Sequence, residues 1–288
     1  MMSQFVFKRD IDRPVIIAGP CMAESQEIVD EVANSMGELA DEVGFDYIFK
    51  ASFDKANRTS INSERGPGWE KSKQWFADIK SRLDVPALTD IHETNQVAQV
   101  AEVCDVLQIP AFLCRQTDLL VEAVKTGRAV NVKKGQFLAP QNASHIVGKV
   151  KSVCQSMGLE ENLALTERGA TFGYGNLVVD MRGLKIMSDL GAPTIFDVTH
   201  SLQLPSTGGA AGEVSGGARE FAPVLARSAV ATGYVDGLFI EVHPEPSKAK
   251  SDGATQLSIE QAKSLIRSLV PLWHQSRELV SADSLFSS

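Results

Sequence analysis

Eight short runs of apolar and β-branched residues recur along the whole chain, and they constrain its fold more than any other feature. They are Val15–Ala18, Tyr47–Lys50, Ala87–Thr89, Val106–Ile109, Val130–Val132, Leu163–Leu165, Thr194–Val198 and Leu238–Glu241. Each is near-continuously apolar rather than alternating, the pattern of parallel strands covered on both faces. Stretches of helical period lie between them: Ile28, Val32, Met36, Leu39 and Val43; Val97, Val100 and Val103 with Cys104; Ile146, Val150 and Val153 with Met157; Val224, Leu225 and Ala229. Gly44, Gly127, Gly158 and Gly233 stand where these helices should stop, and Ser25 and Thr94 where helices should start. Strand, helix and strand repeated in this way predict parallel pairing through right-handed crossovers. The α/β class that fits is a (β/α)8 TIM barrel, a single domain over residues 1–288. A doubly wound open sheet is the alternative, but it usually has fewer strands and an early GxGxxG, which this chain lacks. Residues 1–13 are expected to close the barrel floor. The polar tail from about residue 275 to 288 is expected to be peripheral, and the glycine-rich stretch Ser201–Gly217 mobile.

Composition narrows the function. The net charge of −8 argues against a nucleic-acid or anionic-membrane surface, since either needs a basic face. No apolar run approaches the ~20 residues of a membrane helix, and the N-terminus has no apolar core or small-residue cleavage site of a signal peptide. Four cysteines without a CxxC fit a reducing cytoplasm better than a disulfide scaffold.

Chemistry in such a barrel belongs at the C-terminal ends of the strands. Those ends are unusually rich in charge: Cys21; Lys50, Lys55, Asn57 and Arg58; Asp90; Gln108; Lys133 and Lys134; Glu167 and Arg168; Asp197 and His200; Glu241 and His243. Lys50, Lys55, Arg58, Lys133 and Arg168 would converge on one mouth of an acidic protein, which points to a phosphorylated or carboxylated substrate. Any one lysine taken alone could equally pair with a surface acid. Cys21, His200, Glu241 and Asp252 offer a thiolate, an imidazole and two carboxylates, a donor set for Zn²⁺, Fe²⁺, Mn²⁺ or Co²⁺. Their spacing matches no local metal motif, and Cys21 alone reads equally as a buried structural thiol. Cys104, Cys114 and Cys154 read as packing residues. Gly208, Gly209, Gly212, Gly216 and Gly217 with Arg219 suggest a lid beside His200, or a phosphate-wrapping loop.

Several motifs in order carry a family resemblance. Phe49-Lys50-Ala51-Ser52-Phe53-Asp54-Lys55-Ala56-Asn57-Arg58-Thr59-Ser60 resembles the substrate signature of the 3-deoxy-D-manno-octulosonate 8-phosphate synthases, also called 2-dehydro-3-deoxyphosphooctonate aldolases. Leu88–His92, Leu107–Leu113, Asn131–Gln136, Thr166–Gly169, Phe196–Ser201 and Glu241–Pro244 agree with it, so the resemblance spans roughly residues 14 to 272. The Ala56-Asn57 pair separates the chain from the sister synthase of the seven-carbon sugar acid, which carries a Lys-Pro-Arg-Thr-type motif there. Thr59 departs from the commoner Ser but keeps the hydroxyl.

The resemblance implies a cytoplasmic homotetrameric transferase of lipopolysaccharide biosynthesis. It would join phosphoenolpyruvate to D-arabinose 5-phosphate and release phosphate. It further implies that Lys50, Lys55, Gln108, Lys133 and Arg168, with the Ala111 N–H, hold phosphoenolpyruvate. Asn57, Arg58, Thr59 and Asp90 would hold the sugar phosphate, and Gln203 would lie beside the substrates. Cys at position 21 resembles the metal-dependent branch, with Cys21, His200, Glu241 and Asp252 as ligands of a divalent ion. Lys50, Lys55, Asp90, His200 and Asp252 are the expected catalytic set. A Schiff-base aldolase using Lys50 or Lys133, and a non-catalytic sugar-phosphate binder, are the competing readings.

Overall fold

The computed structural model describes residues 5–9, 12–58, 60–171, 173, 175–204 and 216–281. The barrel strands are β1 (Val15–Gly19), β2 (Asp46–Lys50), β3 (Ala87–Asp90), β4 (Val106–Ile109), β5 (Ala129–Lys133), β6 (Leu163–Glu167), β7 (Thr194–Asp197) and β10 (Gly237–Glu241). They close in sequence order, with β1 pairing β10, and every barrel pairing is parallel. The helices are α1 (Gln26–Val43), α2 (Trp69–Leu83), α3 (Thr94–Ala101), α4 (Thr117–Lys125), α5 (Ser144–Met157), α6 (Met181–Ser188), α7 (Ala222–Ala231) and α8 (Ile259–Ser281). A short antiparallel ribbon, β8 (Gln203–Leu204) with β9 (Gly216–Gly217), flanks the mouth.

Local chemistry explains most of the boundaries. The Ser25 side chain accepts from the Ile28 N–H and caps α1, and Gly44 ends it in the left-handed region at φ 83°. Thr94 is the first helical residue of α3 rather than its cap. Glu93 is the cap, in a reciprocal capping box with Gln96. The tail expected from residue 275 is helix as far as Ser281, with Ser276 buried and Arg277 donating to the Arg9 carbonyl and Asp236. Met157 and Val224, expected on buried stripes, are about half exposed.

Two apolar layers form the core. Outward-facing strand residues such as Phe49, Leu107, Val132, Leu165 and Ile240 pack with the helices. Val15, Ile17, Ile48, Leu88, Val106, Ala129, Ala164, Ile195 and Phe239 form a separate cluster inside the barrel, and Phe7 closes it from below with Phe5 against it. Asn162 ties that N-terminal segment down by accepting the Phe7 N–H and donating to the Phe5 carbonyl. Strand side chains alternate with a period of two. Two positions beyond this dry layer, the same inward face therefore presents Lys50, Asp90, Gln108, Asn131, Thr166, Asp197 and Glu241, and Lys133 two further on.

Candidate active site

The charges at the mouth are buried and paired. Lys50 Nζ donates to Glu241 Oε1 and, at 3.1 Å, to the Cys21 carbonyl. Lys133 Nζ pairs with Asp197 Oδ2 and lies 3.2 Å from the centroid of the Phe239 ring. All four charged side chains are at most 4% exposed. Burial pushes the Lys133 ammonium down to about 8, with Asp197 partly opposing the shift. Burial also works against the Asp197 and Glu241 charges, but His200 and Lys133 beside Asp197, and Lys50 and His200 beside Glu241, outweigh it and hold both carboxyls far below their ordinary range.

Arg168 lies beside this group. Its Nη2 donates to Gln203 Oε1 at 2.6 Å and to the His200 carbonyl at 3.3 Å, while its buried Nε has no partner among the described residues. Gln203 in turn donates to Asp252 Oδ1 at 3.0 Å. Lys55 Nζ donates to Ser52 Oγ at 2.9 Å. Burial alone would lower its pKa, but Cys21, Glu241, Asp90 and Asp252 together raise it. Asp90 accepts from His92 Nε2 at 3.0 Å, and its Oδ1 is buried without a partner among the described residues. Ala111 is buried at the first position of a 3-10 turn, where an N–H has no intrahelical acceptor.

Ligand atoms of Cys21, Glu241 and Asp252 lie within 4.8 Å of one another. His200 Nε2 is 3.7 Å from Glu241 Oε1 and 3.8 Å from Asp252 Oδ2. Its Nδ1 is 2.8 Å from Asp197 Oδ2 and 3.3 Å from Lys133 Nζ, so Asp197 orients the ring with Nε2 toward the carboxylates. Burial pushes the Cys21 thiol well up, and Glu241 and Asp252 add to the effect. Glu241 Oε2 is buried without a partner among the described residues. A thiol, an imidazole and two carboxylates this close, one with an unsatisfied oxygen, fit a divalent cation, which would reverse the thiol's shift.

The backbone sets these groups. A Cβ on Gly19 would lie 1.7 Å from the Lys50 carbonyl oxygen, so only glycine lets β1 approach β2 closely before Cys21. Asp252 sits in the left-handed region at φ 47°, held by the N–H groups of Thr255 and Gln256, which donate to its carbonyl. The buried Gln256 side chain accepts the Cys21 N–H and donates to the Ser251 carbonyl.

Asn57 is exposed and Arg58 partly so. Arg58 donates to the carbonyls of Glu64 and Lys250 and so joins two strand-end loops at the rim. Thr59 and the lid glycines 208, 209 and 212 lie outside the described residues; Arg219 donates to the Gly253 carbonyl. Sequence reasoning gave neither His92 nor Asp197 a role. The Asp-x-His spacing after β3 was the available signal for the first. Nothing local announced Gln256. Surface clefts of about 580 and 750 Å³ lie elsewhere, lined by none of the paired mouth charges.

A closed parallel barrel whose mouth couples buried cations to a soft-and-hard metal donor set defines a class of enzyme acting on phosphorylated anions. The DAHP synthetase I family model matches residues 4–277, and the chain belongs to that family. Among its curated relatives is the 2-dehydro-3-deoxyphosphooctonate aldolase of Albidiferax ferrireducens, 50% identical over 268 residues, 92% of this chain and 93% of that protein. The enzyme of the same name from Fusobacterium nucleatum is 52% identical over 255 residues, 88% of each chain. That from Variovorax paradoxus is 46% identical over 284 residues, 98% of each.

Proposed function

We propose that the chain condenses phosphoenolpyruvate with D-arabinose 5-phosphate and water, giving 3-deoxy-D-manno-octulosonate 8-phosphate and inorganic phosphate for lipopolysaccharide biosynthesis. The observation that carries the site reading is the buried cationic wall on neighbouring strands. Lys133 pairs in register with Thr166, two residues before Arg168, beside the Cys21, Glu241 and Asp252 group.

In this reading Arg168 and Lys133 take the phosphate of phosphoenolpyruvate, and Lys50 or Lys55 its carboxylate. Gln108 and the Ala111 N–H complete the hold. Arg58 and Thr59 take the sugar phosphate, with Asn57 and Asp90 at its hydroxyls and Gln203 between Arg168 and Asp252. Carbon 3 of phosphoenolpyruvate attacks the aldehyde carbon, and water adds at carbon 2. The resulting phosphohemiketal collapses and expels phosphate. The cations work by holding two polyanions together against their repulsion in a poorly screened site. Cys21, His200, Glu241 and Asp252 would hold a divalent ion, Asp197 orienting the His200 ring. When bound, the ion supplies polarisation and orientation of the sugar.

Exposed Phe112, Phe137 and Phe221, each more than half accessible, support a homotetramer, and four free cysteines support a cytoplasmic setting. No helix among the described residues is long and apolar enough to cross a membrane. The test is phosphate release from the two substrates before and after exhaustive chelation. Loss on chelation and recovery with a divalent ion is expected. Turnover that survives chelation would return Cys21 to a packing role, and turnover with erythrose 4-phosphate instead would assign the sister reaction.

A further inference from the structure

Beneath the cationic wall lies a chain of three uncharged polar side chains, of which the reaction as described uses only Gln108. Thr166 Oγ1 is 2.6 Å from Asn131 Oδ1, and Asn131 Nδ2 is 3.2 Å from Gln108 Oε1. Thr166 and Asn131 are fully buried and Gln108 is 5% exposed. All three occupy inward positions of adjacent strands. Gln108 pairs in register with Asn131, which stands two residues before Lys133, and Thr166 stands two before Arg168.

The direction of this chain is fixed by one proton. A carboxamide has the same outline with its oxygen and nitrogen exchanged, so only its partners decide which end faces where. Thr166 has a single hydroxyl proton, and among the described residues Asn131 Oδ1 is its acceptor. A 2.6 Å separation suits O–H···O. Exchanging the Asn131 amide would leave that proton buried without an acceptor, a costly state. The Asn131 nitrogen must then donate to Gln108, which commits Gln108 Oε1 inward and leaves its Nε2 hydrogens for the mouth.

We infer that Thr166 and Asn131 are positioning residues that lock Gln108 as a hydrogen-bond donor, so that this side of the pocket accepts only an anionic or carbonyl oxygen. The inference rests on the reading above that Gln108 touches phosphoenolpyruvate. It adds that specificity for the acceptor arises one layer deeper than the charges.

The test compares Thr166→Val, Thr166→Ser, Asn131→Asp and Gln108→Ala in the metal-loaded enzyme, with KM for each substrate, kcat and thermal midpoint measured for all. Thr166→Val keeps the shape and removes the proton. It is expected to raise KM for phosphoenolpyruvate about tenfold, the effect of roughly one lost oriented hydrogen bond, and to leave KM for arabinose 5-phosphate within about twofold. Thr166→Ser should restore the parent value. Asn131→Asp, which can only accept, should turn Gln108 around and raise the same KM at least as far; it serves if Thr166→Val does not fold. Parent-like KM in Thr166→Val would overturn the relay, as would a parallel loss in both substrates with a lowered midpoint in both relay variants. Gln108→Ala separates the two readings. An unchanged KM for phosphoenolpyruvate there removes the Gln108 contact itself, whereas a raised KM beside an inert Thr166→Val removes only the relay.

Discussion

The floor and the mouth of the barrel are built on the same strands, two residues apart, and obey opposite rules. In the floor every inward side chain is apolar, and burial stabilises it directly. In the mouth the next inward positions carry Lys50 against Glu241, and Asp197, which pairs with Lys133 one inward position further along β5. Ion pairs at that depth are poor stabilisers, because desolvation takes back much of their attraction. Phe239 marks the seam: it belongs to the apolar layer, and its ring faces the Lys133 ammonium. The contrast teaches that inside the barrel the floor supplies the stability, and that the mouth keeps charges a stability-driven core would have replaced.

The sharpest way to break this division is to remove a mouth charge and ask whether the fold notices. Arg168→Ala should lower kcat/KM for phosphoenolpyruvate about 10³-fold, the size of losing an oriented charge-stabilising donor. Its thermal midpoint should stay close to the parent's, since burial disfavours the guanidinium charge and its Nε has no described partner. Arg168→Lys should recover little, lacking the planar fork. An equal loss of activity and midpoint would make Arg168 structural.

Next in size is the donor cluster. Cys21→Ala should weaken divalent-metal binding, followed by equilibrium dialysis, more than about 100-fold, since even outer-shell partners of metals are worth that much. Cys21→Asn should retain some activity without metal if other positions permit. Full metal-dependent turnover in Cys21→Ala would remove Cys21 from the ligand set.

The complementary break is in the floor. Ile17→Ala deletes fully buried methyl and methylene groups and should cost about 2–5 kcal/mol by denaturant titration. The floor is two residues below the chemistry, so kcat/KM should remain within about twofold. A large kinetic effect at full folding would show that the two layers are mechanically coupled.

The floor was far easier to read in the sequence than the mouth. Each apolar run marks a barrel strand, because residues buried on both faces leave an unbroken signal. The apolar runs over β3, β5 and β6 stop one or two residues before the strands do. Asp90, Lys133 and Glu167 are the last residues of β3, β5 and β6, still in the ladder, because the barrel interior supplies their partners from across the pocket. Helix caps were legible when the capping side chain was of a common type, as at Ser25, and misplaced by one residue where Glu93 does the work. At the site, Cys21 and Asp252 are far apart in sequence and in contact in space, with the thiol Sγ 3.2 Å from Asp252 Oδ2. No spacing rule encodes such a contact, and family resemblance had to supply it. The Gln256 clamp and the Thr166–Asn131 relay were invisible for the same reason.

The smallest expected effect probes the rim of the mouth, where His92 meets Asp90. Burial alone would lower the His92 pKa, but the hydrogen bond and charge of Asp90 outweigh it, so the folded value lies above the ordinary 6.5. A raised folded pKa means the folded state binds the proton more tightly than the unfolded chain. The stabilisation from this pair is therefore fully present below the unfolded pKa and is lost as pH rises through the folded one. His92→Gln removes the titration while keeping a donor for Asp90. The difference in unfolding free energy between parent and variant should shrink as pH rises across that window and be flat above it, measured by urea titration at a series of pH values. A difference that stays constant with pH would show that His92 packs against Phe53 as a neutral ring and leaves Asp90 to be held by Lys50 and Lys55 alone.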